Sequence, residues 1–429
     1  MRTLNTQTCT PEELASILDK PLLQENPAVE SAVRSILADV QSRGDEAVLE
    51  YTRRFDWPEA DAVEVPREAL EEGRAQVSKS LLSAIKTSKK NIERFHQKQV
   101  RESWLDSEQP GKLLGQIIRP VGRVGAVVPG FLAPLPSSLL MTVVPARVAG
   151  VEEVFVCTPP RKDGSIHPAT AAAAIEAGVD RVFKIGGAQA VAALAYGTET
   201  VPRVDKIVGP GNVYVTMAKR FVYGQVGIEM LAGPSEVLVL ADETADPRHV
   251  AADMLSQAEH DPDARALLVT PSQKIADEVN AEIDKQLNAL SRKEIARKSL
   301  DDNGAIVIVA DIDEAVEIAN RVAPEHLEVS VAEPLVLLPR LKNAGAILLG
   351  DHSTEPIGDY TAGPSHVLPT SGTARFSSPL NVDDFMKKSS VVMYSKEALL
   401  ADAAATIELA ETEGLDAHAN AVRIRVEDS

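Results

Sequence analysis

Cysteine is nearly absent from this chain of 429 residues, in which only Cys9 and Cys157 occur. Two thiols so far apart in sequence exclude the disulfide framework that stabilises many small secreted domains, and they fit a reducing cytosol. No histidine or cation adjoins Cys157 in sequence, so we expect a small buried residue at a strand end and not a nucleophile.

Positive charge is also in short supply, because 44 Lys and Arg residues stand against 63 Asp and Glu residues, for a formal net charge of −19. Nucleic acids and anionic membranes bind basic surfaces, so this balance argues against both as partners. The first residues, MRTLNTQTC, lack the apolar core of a signal peptide. We therefore expect a cytoplasmic protein that binds no nucleic acid and no membrane.

Long uninterrupted apolar segments are missing as well. The stretch between Arg123 and Arg147 has no charged residue and approaches the length of a bilayer-spanning helix, but several prolines interrupt it. Each interior proline would remove a backbone hydrogen bond from a continuous helix. The stretch therefore predicts a strand, an apolar loop and a buried helix.

Short apolar runs alternate with helical patterns along most of the chain. The first series is RVGAVV, EVFVCT, RVFKIG and DKIVGP, and the second is EVLVLAD, ARALLVT, GAIVIVA, LEVSV and GAILLG. This alternation indicates βαβ units and parallel sheets. With 44% hydrophobic residues, the chain is long enough for two such α/β domains. Helical patterns precede residue 105, and a short helical tail follows residue 376.

A glycine-rich segment, VGPGNVYV at residues 208–215, follows one of the predicted strands. Ligands of parallel α/β sheets bind beyond the carboxyl ends of strands, so such loops are candidate sites. Gly209 and Gly211 let the backbone approach a ligand closely, and Asn212 is placed to open the next helix. Because the segment is not a full GxGxxG fingerprint, it leaves open a dinucleotide site or, more simply, a plain strand-to-helix turn.

Polar side chains that could carry chemistry cluster in three further segments. Histidine is a common metal ligand and glutamine a rare one, so spacing alone does not distinguish a metal site from an exposed polar surface. Loops rich in glycine, proline and serine are often functional when they are long. The residues are Gln257 and His260 in LSQAEHDP, Asp359 and His366 in EPIGDYTAGPSHVLPTSG, and Glu413 and His418 in ELAETEGLDAHANA.

The segment NRVAPEHLEVSV places Glu325 and His326 between a helical pattern and a strand pattern. Pro324 disfavours helical backbone at Ala323, so we expect the helix to end there and the pair to lie at the start of the next strand. Neighbouring side chains of an extended strand point to opposite faces, so one site can use both only from irregular backbone. A histidine that titrates near neutrality beside a carboxylate suits a general-base step.

Seven motifs, in this order, resemble those of the L-histidinol dehydrogenase family, and the resemblance covers nearly the whole chain from about residue 27. The motifs are GGAQAVAALAYGT, KIVGPGN, AGPSEVLVLAD, DMLSQAEHDP, APEHLE, GDYTAGPSHVLPTSGTARFSSPL and EGLDAHANAV. The resemblance implies a zinc enzyme that completes histidine biosynthesis. Such an enzyme oxidises L-histidinol to L-histidine through L-histidinaldehyde and uses two NAD⁺ in succession.

The resemblance also implies roles for individual residues. His326 would take the alcohol proton as hydride leaves for NAD⁺, and Glu325 would activate the water that attacks the aldehyde. One Zn²⁺ per subunit would bind the imidazole and amino nitrogens of the substrate and position its reacting carbon. The implied zinc ligands are Gln257, His260, Asp359 and His418. The same four residues and His326 would contact the substrate, together with Ser235, His366 and Glu413, and the implied cofactor positions are Val127, Gln189 and Asn212.

The fold implied by the resemblance is α/β, with two incomplete Rossmann-like parallel-sheet domains and small helical terminal segments in a domain-swapped homodimer. His418 would enter the partner's active site from a C-terminal tail that is too small to contain a core of its own. The implied division is an N-terminal arm, 1–29; a main α/β domain, 30–125 with 236–375; an inserted cofactor domain, 126–235; and the helical tail, 376–429.

The cofactor loop departs from the family pattern, which reads close to YVPGGTAAYPS where this chain has VVPGFLAPLPS. Val127, Phe131 and Leu135 replace a tyrosine, a glycine and a tyrosine. Loss of an aromatic surface and gain of a Cβ would weaken NAD⁺ binding. Two alternative functions stay open, of which only the second rests on this loop. One is a related zinc- and NAD-dependent enzyme that oxidises another small hydroxy compound, such as a sulfonated propanediol, and the other is a zinc-binding dimer impaired in NAD use.

Overall fold

A computed structural model describes residues 1–19, 26–130 and 134–427 of the chain. Phe131 of the altered loop lies outside these ranges. The chain divides into two compact units. Unit 1 comprises Met1–Gln99 and Val121–Phe385, and unit 2 comprises Val100–Pro120 and Met386–Ser429.

Strands and helices alternate through most of unit 1, as the apolar runs predict. The strands and helices of both units are given next in chain order. The strands are β1 Arg2–Asn5, β2 Glu64–Val65, β3 Trp104–Asp106, β4 Lys112–Pro120, β5 Arg123–Val127, β6 Glu153–Cys157, β7 Arg181–Phe183, β8 Lys206–Val208, β9 Gly227–Ile228, β10 Glu236–Ala241, β11 Arg265–Thr270, β12 Ala305–Ile308, β13 His326–Ser330, β14 Ala346–Leu349 and β15 Met386–Tyr394. The helices are α1 Pro11–Leu18, α2 Pro27–Arg43, α3 Asp45–Phe55, α4 Arg67–Gln76, α5 Lys79–His96, α6 Pro136–Ala149, α7 Pro168–Ala177, α8 Gly187–Tyr196, α9 Val213–Val222, α10 Pro247–Ala258, α11 Gln273–Leu287, α12 Lys293–Asn303, α13 Ile312–Val322, α14 Pro334–Leu337, α15 Glu355–Ile357, α16 Lys396–Thr412 and α17 Asp416–Glu427.

The first sheet of unit 1 has six strands in the order β1-β12-β11-β10-β13-β14, and all of its strand pairs are parallel. Side chains of β10 alternate between two cores. Val237 and Val239 pack with α10, α11 and α12 on one face, whereas Leu238 and Leu240 pack with α1 and α13 on the other. Coverage of both faces explains why these strands read as continuous apolar runs.

The second sheet has the order β2-β7-β6-β5-β8-β9, in which the short edge strand β2 runs antiparallel to β7 and the other pairs are parallel. Strand order runs outward from β5 in one direction through β6 and β7, and in the other through β8 and β9. The order in which strands are added to the sheet therefore reverses between β5 and β8. In open parallel sheets, ligands bind beyond the carboxyl ends of strands at such a switch point.

Helices α2 and α3 share a hydrophobic core with α8, α9 and the second sheet. This sheet includes β2, which is residues 64–65, and its next strand along the chain is β5, which starts at residue 123. The resemblance instead groups residues 30–125 with the main domain and starts the cofactor domain at residue 126. That division of the chain into domains stays a prediction.

The predicted α/β class with parallel sheets is confirmed, and so are the strand and the buried helix in the uncharged stretch, which are β5 and α6. Among the described residues, no helix combines the length and hydropathy needed to cross a bilayer. Helix α6 begins at Pro136 and so uses a proline at its first turn, where the missing N–H is tolerated.

Unit 2 corrects the expectation of an entirely helical tail. Residues 386–394 form the long strand β15, which pairs antiparallel with β4, and β4 pairs in turn with β3. The sequence MKKSSVVMY lies mostly exposed, so it lacks the alternation of a half-buried strand that would have revealed it. Helices α16 and α17 follow as predicted, with Gly414 in left-handed backbone at φ 71° between them.

The environment of Cys157 generates a first prediction. Its side chain is fully buried at the end of β6, and burial raises the pKa of the thiol far above its usual range. In a Cys9→Ser variant, we expect no reaction of the native protein with a thiol reagent such as dithionitrobenzoate, and one thiol to react after unfolding in urea. Rapid labelling of the folded variant would contradict this burial.

Candidate functional site

Helix α13 ends where Pro324 predicts, immediately before the Glu325–His326 pair. Ala323 adopts left-handed backbone at φ 49° and ψ 60° although it is not glycine, and β13 begins at His326. The N–H groups of Gly345 and Ala346 donate to the carbonyls of Pro324 and Glu325 at 2.9 and 2.8 Å. Irregular backbone, fixed by its neighbour strand, therefore lets both side chains serve one site.

The pair lies at the amino ends of the first sheet's strands and not beyond their carboxyl ends, where ligands of parallel sheets are expected. His326 is the first residue of β13 and is in register with Val237 of β10. Leu327 and Val329 point into the core on the α13 face, so His326 and Glu328 point to the opposite face, where α10 packs. The strand thus presents the histidine to the helix that carries Gln257.

Backbone groups of Glu236 position both members of the pair. The Glu236 N–H donates to Glu325 Oε2 at 2.9 Å, and the Glu236 carbonyl lies 3.3 Å from His326 Nδ1. His326 Nδ1 is also 3.9 Å from Glu325 Oε2, and its Nε2 is 3.4 Å from Asp359 Oδ1. With Nδ1 protonated and bonded to the carbonyl, Nε2 is the nitrogen that can act as a base.

Burial and nearby charges shift the pKa values of both members of this pair. Glu325 is 6% exposed and His326 4%. Burial raises the pKa of Glu325 to about 8, against the opposing effect of His326. Burial alone would lower the pKa of His326, but Glu325, Asp359 and Glu355 together raise it to about 10. The site is therefore built to accept protons and to bind positive charge.

Glu236, whose backbone positions the Glu325–His326 pair, forms a buried ion pair through its side chain. Glu236 and Arg265 begin adjacent strands, and Arg265 Nη1 lies 3.3 Å from Glu236 Oε2 with both side chains less than a tenth exposed. Ser371 N–H donates to Glu236 Oε1 at 2.7 Å. The Arg265 guanidinium also donates to the carbonyls of Ile17 and Leu18, which end α1. Arg265 thereby connects the end of α1 to Glu236 at the start of β10.

His260, Glu355 and Asp359 form a cluster whose ligand atoms all lie within 4.8 Å of one another. His260 Nε2 is 3.9 Å from Glu355 Oε1. Gln257, one turn earlier on α10, is fully buried, yet neither its amide oxygen nor its amide nitrogen has a hydrogen-bond partner. A buried amide without a partner needs an explanation, and a cation bound through its oxygen supplies one. The imidazole and the carboxylates are common Zn²⁺ ligands, and the oxygen of the amide, a rarer one, completes an N/O donor set.

Glu355 escaped prediction from the sequence, although it precedes Asp359 by four residues and so faces the same side of a helical turn. Its side chain is only 2% exposed. Burial raises the pKa of Glu355 to about 7, against the opposing effect of His326. Glu328 Oε1 accepts a hydrogen bond from the Glu355 N–H at 2.8 Å and so holds the start of this turn.

The structure places the predicted substrate residues in both units. Ser235 directly precedes β10, and its carbonyl accepts from the Arg265 N–H at 3.0 Å. His366 lies near Asp359, with its Nε2 3.2 Å from Ser138 Oγ, and burial lowers its pKa. Glu413 and His418 belong to unit 2, where both are exposed.

The predicted cofactor residues lie around the second sheet. The Val127 side chain is 4% exposed and packs in the core, so it offers no surface for stacking. Gln189 is buried in α8 with its Nε2 3.5 Å from Asp56 Oδ2. Asn212 caps α9, since its Oδ1 accepts from the N–H groups of Tyr214 and Val215 at 3.1 and 3.2 Å. Val127 and Asn212 thus flank the switch point, and Gln189 lies in the helix after β7.

Comparison with known proteins identifies the family. A family model described as histidinol dehydrogenase matches residues 20–426. The chain belongs to the histidinol dehydrogenase family. The histidinol dehydrogenase of Heliobacterium mobile is 56% identical over 397 residues, which are 92% of this chain and 93% of that protein. That of Geobacter sulfurreducens is 53% identical over 401 residues, 93% of each chain.

A solved structure agrees with this assignment. The crystal structure of histidinol dehydrogenase from Elizabethkingia anophelis matches with a TM-score of 0.94 at 35% identity, over 100% of this chain and 98% of that chain. Membership of the histidinol dehydrogenase family confirms the predicted oxidoreductase that acts on a CH–OH group. It also confirms the predicted place in histidine biosynthesis.

The position of Glu355 generates a second prediction. Glu355→Gln should weaken Zn²⁺ binding on the order of 10-fold or more, because it removes a buried negative charge that faces His260 and Asp359. Competition with a chromophoric chelator measures the affinity. Ser256→Ala is the matched control, since it removes only the 3.5 Å contact between Ser256 Oγ and Glu355 Oε2. Equal Zn²⁺ affinity in Glu355→Gln and wild type would contradict the role.

Buried carboxyl groups behind the site generate a third prediction, on pH. Burial, followed by the charge of Asp253, raises the pKa of Glu328 to about 9. A carboxyl whose pKa is higher in the folded state stabilises the fold at low pH, and that stability is lost as pH rises toward the folded-state pKa. The free energy of unfolding should therefore fall by about 1 to 3 kcal/mol between pH 6 and pH 8.5.

Urea titrations of Glu328→Gln test this dependence, because the amide cannot ionise. The variant should lose clearly less stability over that pH range, whereas Glu317→Gln, at an exposed position of α13, should follow the wild type. Parallel pH curves for wild type and Glu328→Gln would refute the assignment.

Proposed function

We propose that this chain oxidises L-histidinol to L-histidine through L-histidinaldehyde, with two successive hydride transfers to NAD⁺ and one Zn²⁺ per subunit. One molecule of histidinol, two NAD⁺ and one water give histidine, two NADH and protons. The observation that carries the proposal is the buried, unpartnered amide of Gln257, three residues before His260, whose imidazole clusters with Glu355 and Asp359. Asp359 in turn lies 3.4 Å from Nε2 of His326.

The metal would be held by Gln257, His260 and Asp359, with His418 supplied by the second copy of a homodimer that shares its active sites. When bound, Zn²⁺ supplies a positive centre that fixes the imidazole and amino nitrogens of histidinol. Ser235, His366 and Glu413 would contact the substrate.

His326 would take the proton of the alcohol as hydride leaves the carbinol carbon. Nε2 is the acceptor, because the carbonyl of Glu236 occupies Nδ1 at 3.3 Å and fixes the ring. The surrounding carboxylates stabilise the imidazolium that results. The same nitrogen would take a proton from the hydrated aldehyde before the second hydride leaves.

Glu325 would activate the water that attacks the aldehyde carbon. Its Oε2 accepts a hydrogen bond from the Glu236 N–H at 2.9 Å, so the carboxylate is held in one orientation beside His326. Burial raises its pKa to about 8, which lets it accept a proton from water and release it again near neutral pH. Water and alcohol protons would thus leave through neighbouring residues.

NAD⁺ would bind at the switch point of the second sheet, beside Val127, Gln189 and Asn212, and residues 126–235 would serve as the cofactor domain. Because the Val127 side chain is buried, its contribution would come from the backbone at the end of β5. The enzyme would act in the cytoplasm as a homodimer whose tail, residues 376–429, reaches the partner.

Our fourth prediction concerns turnover. Zinc-loaded protein should form two NADH per L-histidinol, and His326→Asn should reduce kcat by about 10²- to 10⁴-fold, because it removes the proton acceptor. His249→Asn is the control, since this histidine is half-exposed on α10 and should leave turnover unchanged. Absorbance at 340 nm measures NADH.

Other outcomes separate the alternatives. Zinc-dependent binding of histidinol without NADH formation would show a dimer impaired in NAD use and would contradict the proposal. Turnover of a different hydroxy compound, such as a sulfonated propanediol, in preference to histidinol would favour the related alcohol dehydrogenase.

A further inference from the structure

A buried ion pair lies directly behind the loop that follows β8. Lys219 of α9 and Glu229, just after β9, approach to 2.7 Å between Nζ and Oε1, and their side chains are 3% and 1% exposed. No step of the mechanism uses either residue. Burial of two charges carries a desolvation cost that an apolar pair of similar size would avoid. The pair therefore calls for a role besides stability.

Both charged groups bind the backbone of the same residue, Gly209. The Gly209 N–H donates to Glu229 Oε1 at 2.6 Å, and Lys219 Nζ donates to the Gly209 carbonyl at 3.1 Å. The two polar backbone groups of Gly209 are thus fixed by one ion pair. Charge-assisted hydrogen bonds of this kind are stronger and shorter than neutral ones.

Gly209 is held where no other residue fits. Its φ is 109°, and a Cβ at this position would lie 2.2 Å from the carbonyl oxygen of Val127. The loop that contains Gly209 therefore contacts the end of β5 closely, at the point where the strand order of the second sheet reverses. Two residues later, Gly211 packs against Val215 so closely that a Cβ would lie 2.5 Å from its side chain.

We propose that the Lys219–Glu229 pair is a positioning device for the cofactor, which fixes residues 209–212 against β5 so that backbone and Asn212 meet NAD⁺ in one geometry. This inference rests on the proposed function, which seats NAD⁺ at this switch point. The altered loop makes the pair more important in this chain, because the buried Val127 side chain supplies no aromatic contact. A rigid backbone at residues 209–212 would compensate for this missing contact, because an already ordered site loses less conformational entropy when NAD⁺ binds.

A neutral double variant, Lys219→Met with Glu229→Gln, tests the proposal without leaving a lone buried charge. The amide introduced by Glu229→Gln can still accept from the Gly209 N–H, whereas the bond to the Gly209 carbonyl is lost. NADH affinity is measured directly by the fluorescence of bound NADH, and Zn²⁺ and histidinol binding by calorimetry. The matched control is Arg74→Met with Glu176→Gln, which removes a partly buried 2.7 Å ion pair between α4 and α7.

We expect the double variant to raise the Kd for NADH by about 10-fold or more and the KM for NAD⁺ in parallel, with kcat at saturating NAD⁺ within about 3-fold of wild type. Zn²⁺ and histidinol affinities should stay within about 2-fold, because the double variant changes none of the residues proposed to bind them. The control pair should lower the melting temperature and leave the Kd for NADH unchanged.

An unchanged Kd for NADH, or equal losses of NADH, Zn²⁺ and histidinol binding, would overturn the proposal, since either result indicates a purely structural pair. Should the double variant fail to fold, Glu229→Asp keeps both charges and shifts the carboxylate by one methylene. It should still raise the Kd for NADH by about 3-fold or more, and no change would again overturn the role. Absence of NADH binding in the wild type would instead refute the cofactor assignment itself.

Discussion

The buried ion pair of Glu236 and Arg265 is the interaction on which the amino end of the first sheet, with Glu325 and His326, depends. Its carboxylate binds the guanidinium and the Ser371 N–H, while the backbone of the same glutamate holds Glu325 and His326. Removal of one charge would leave the other buried without a partner at the start of two central strands. The geometry of the reacting groups therefore follows from how this pair is packed.

The electrostatics of the buried carboxyl groups favour a cation at this end of the sheet. Glu325, Glu328, Glu355 and Asp359 converge on the amino end of β13, and the first three are less than a tenth exposed. Burial of several negative charges without compensation is costly, so burial raises the pKa values of Glu325, Glu328 and Glu355, and His326 partly offsets the rise at Glu325 and Glu355. A divalent ion beside the unpartnered amide of Gln257 would supply the same positive charge permanently.

The proposed ligand sites of the two sheets in unit 1 lie at opposite ends of their strands. In the second sheet, the loop after β8 and the end of β5 form a switch point of the ordinary kind for open parallel sheets. In the first sheet, Glu325 and His326 lie at the amino end of β13, directly after α13 has ended at the left-handed Ala323. Val127, where the family pattern has a tyrosine, packs in the hydrophobic core, so its effect on the cofactor would act through the backbone.

The sequence by itself determined the α/β class, the end of α13 at Ala323 and the family, because apolar periodicity, the effect of proline on the preceding residue and the order of the motifs are local properties of the chain. Only the tertiary structure decided that Glu355 joins His260 and Asp359, that His326 faces α10, and that Lys219 and Glu229 meet at Gly209. These contacts join separate segments of the chain, and no periodicity specifies such contacts. The strand β15 also escaped prediction, because its pairing with β4 and not its own pattern makes it a strand.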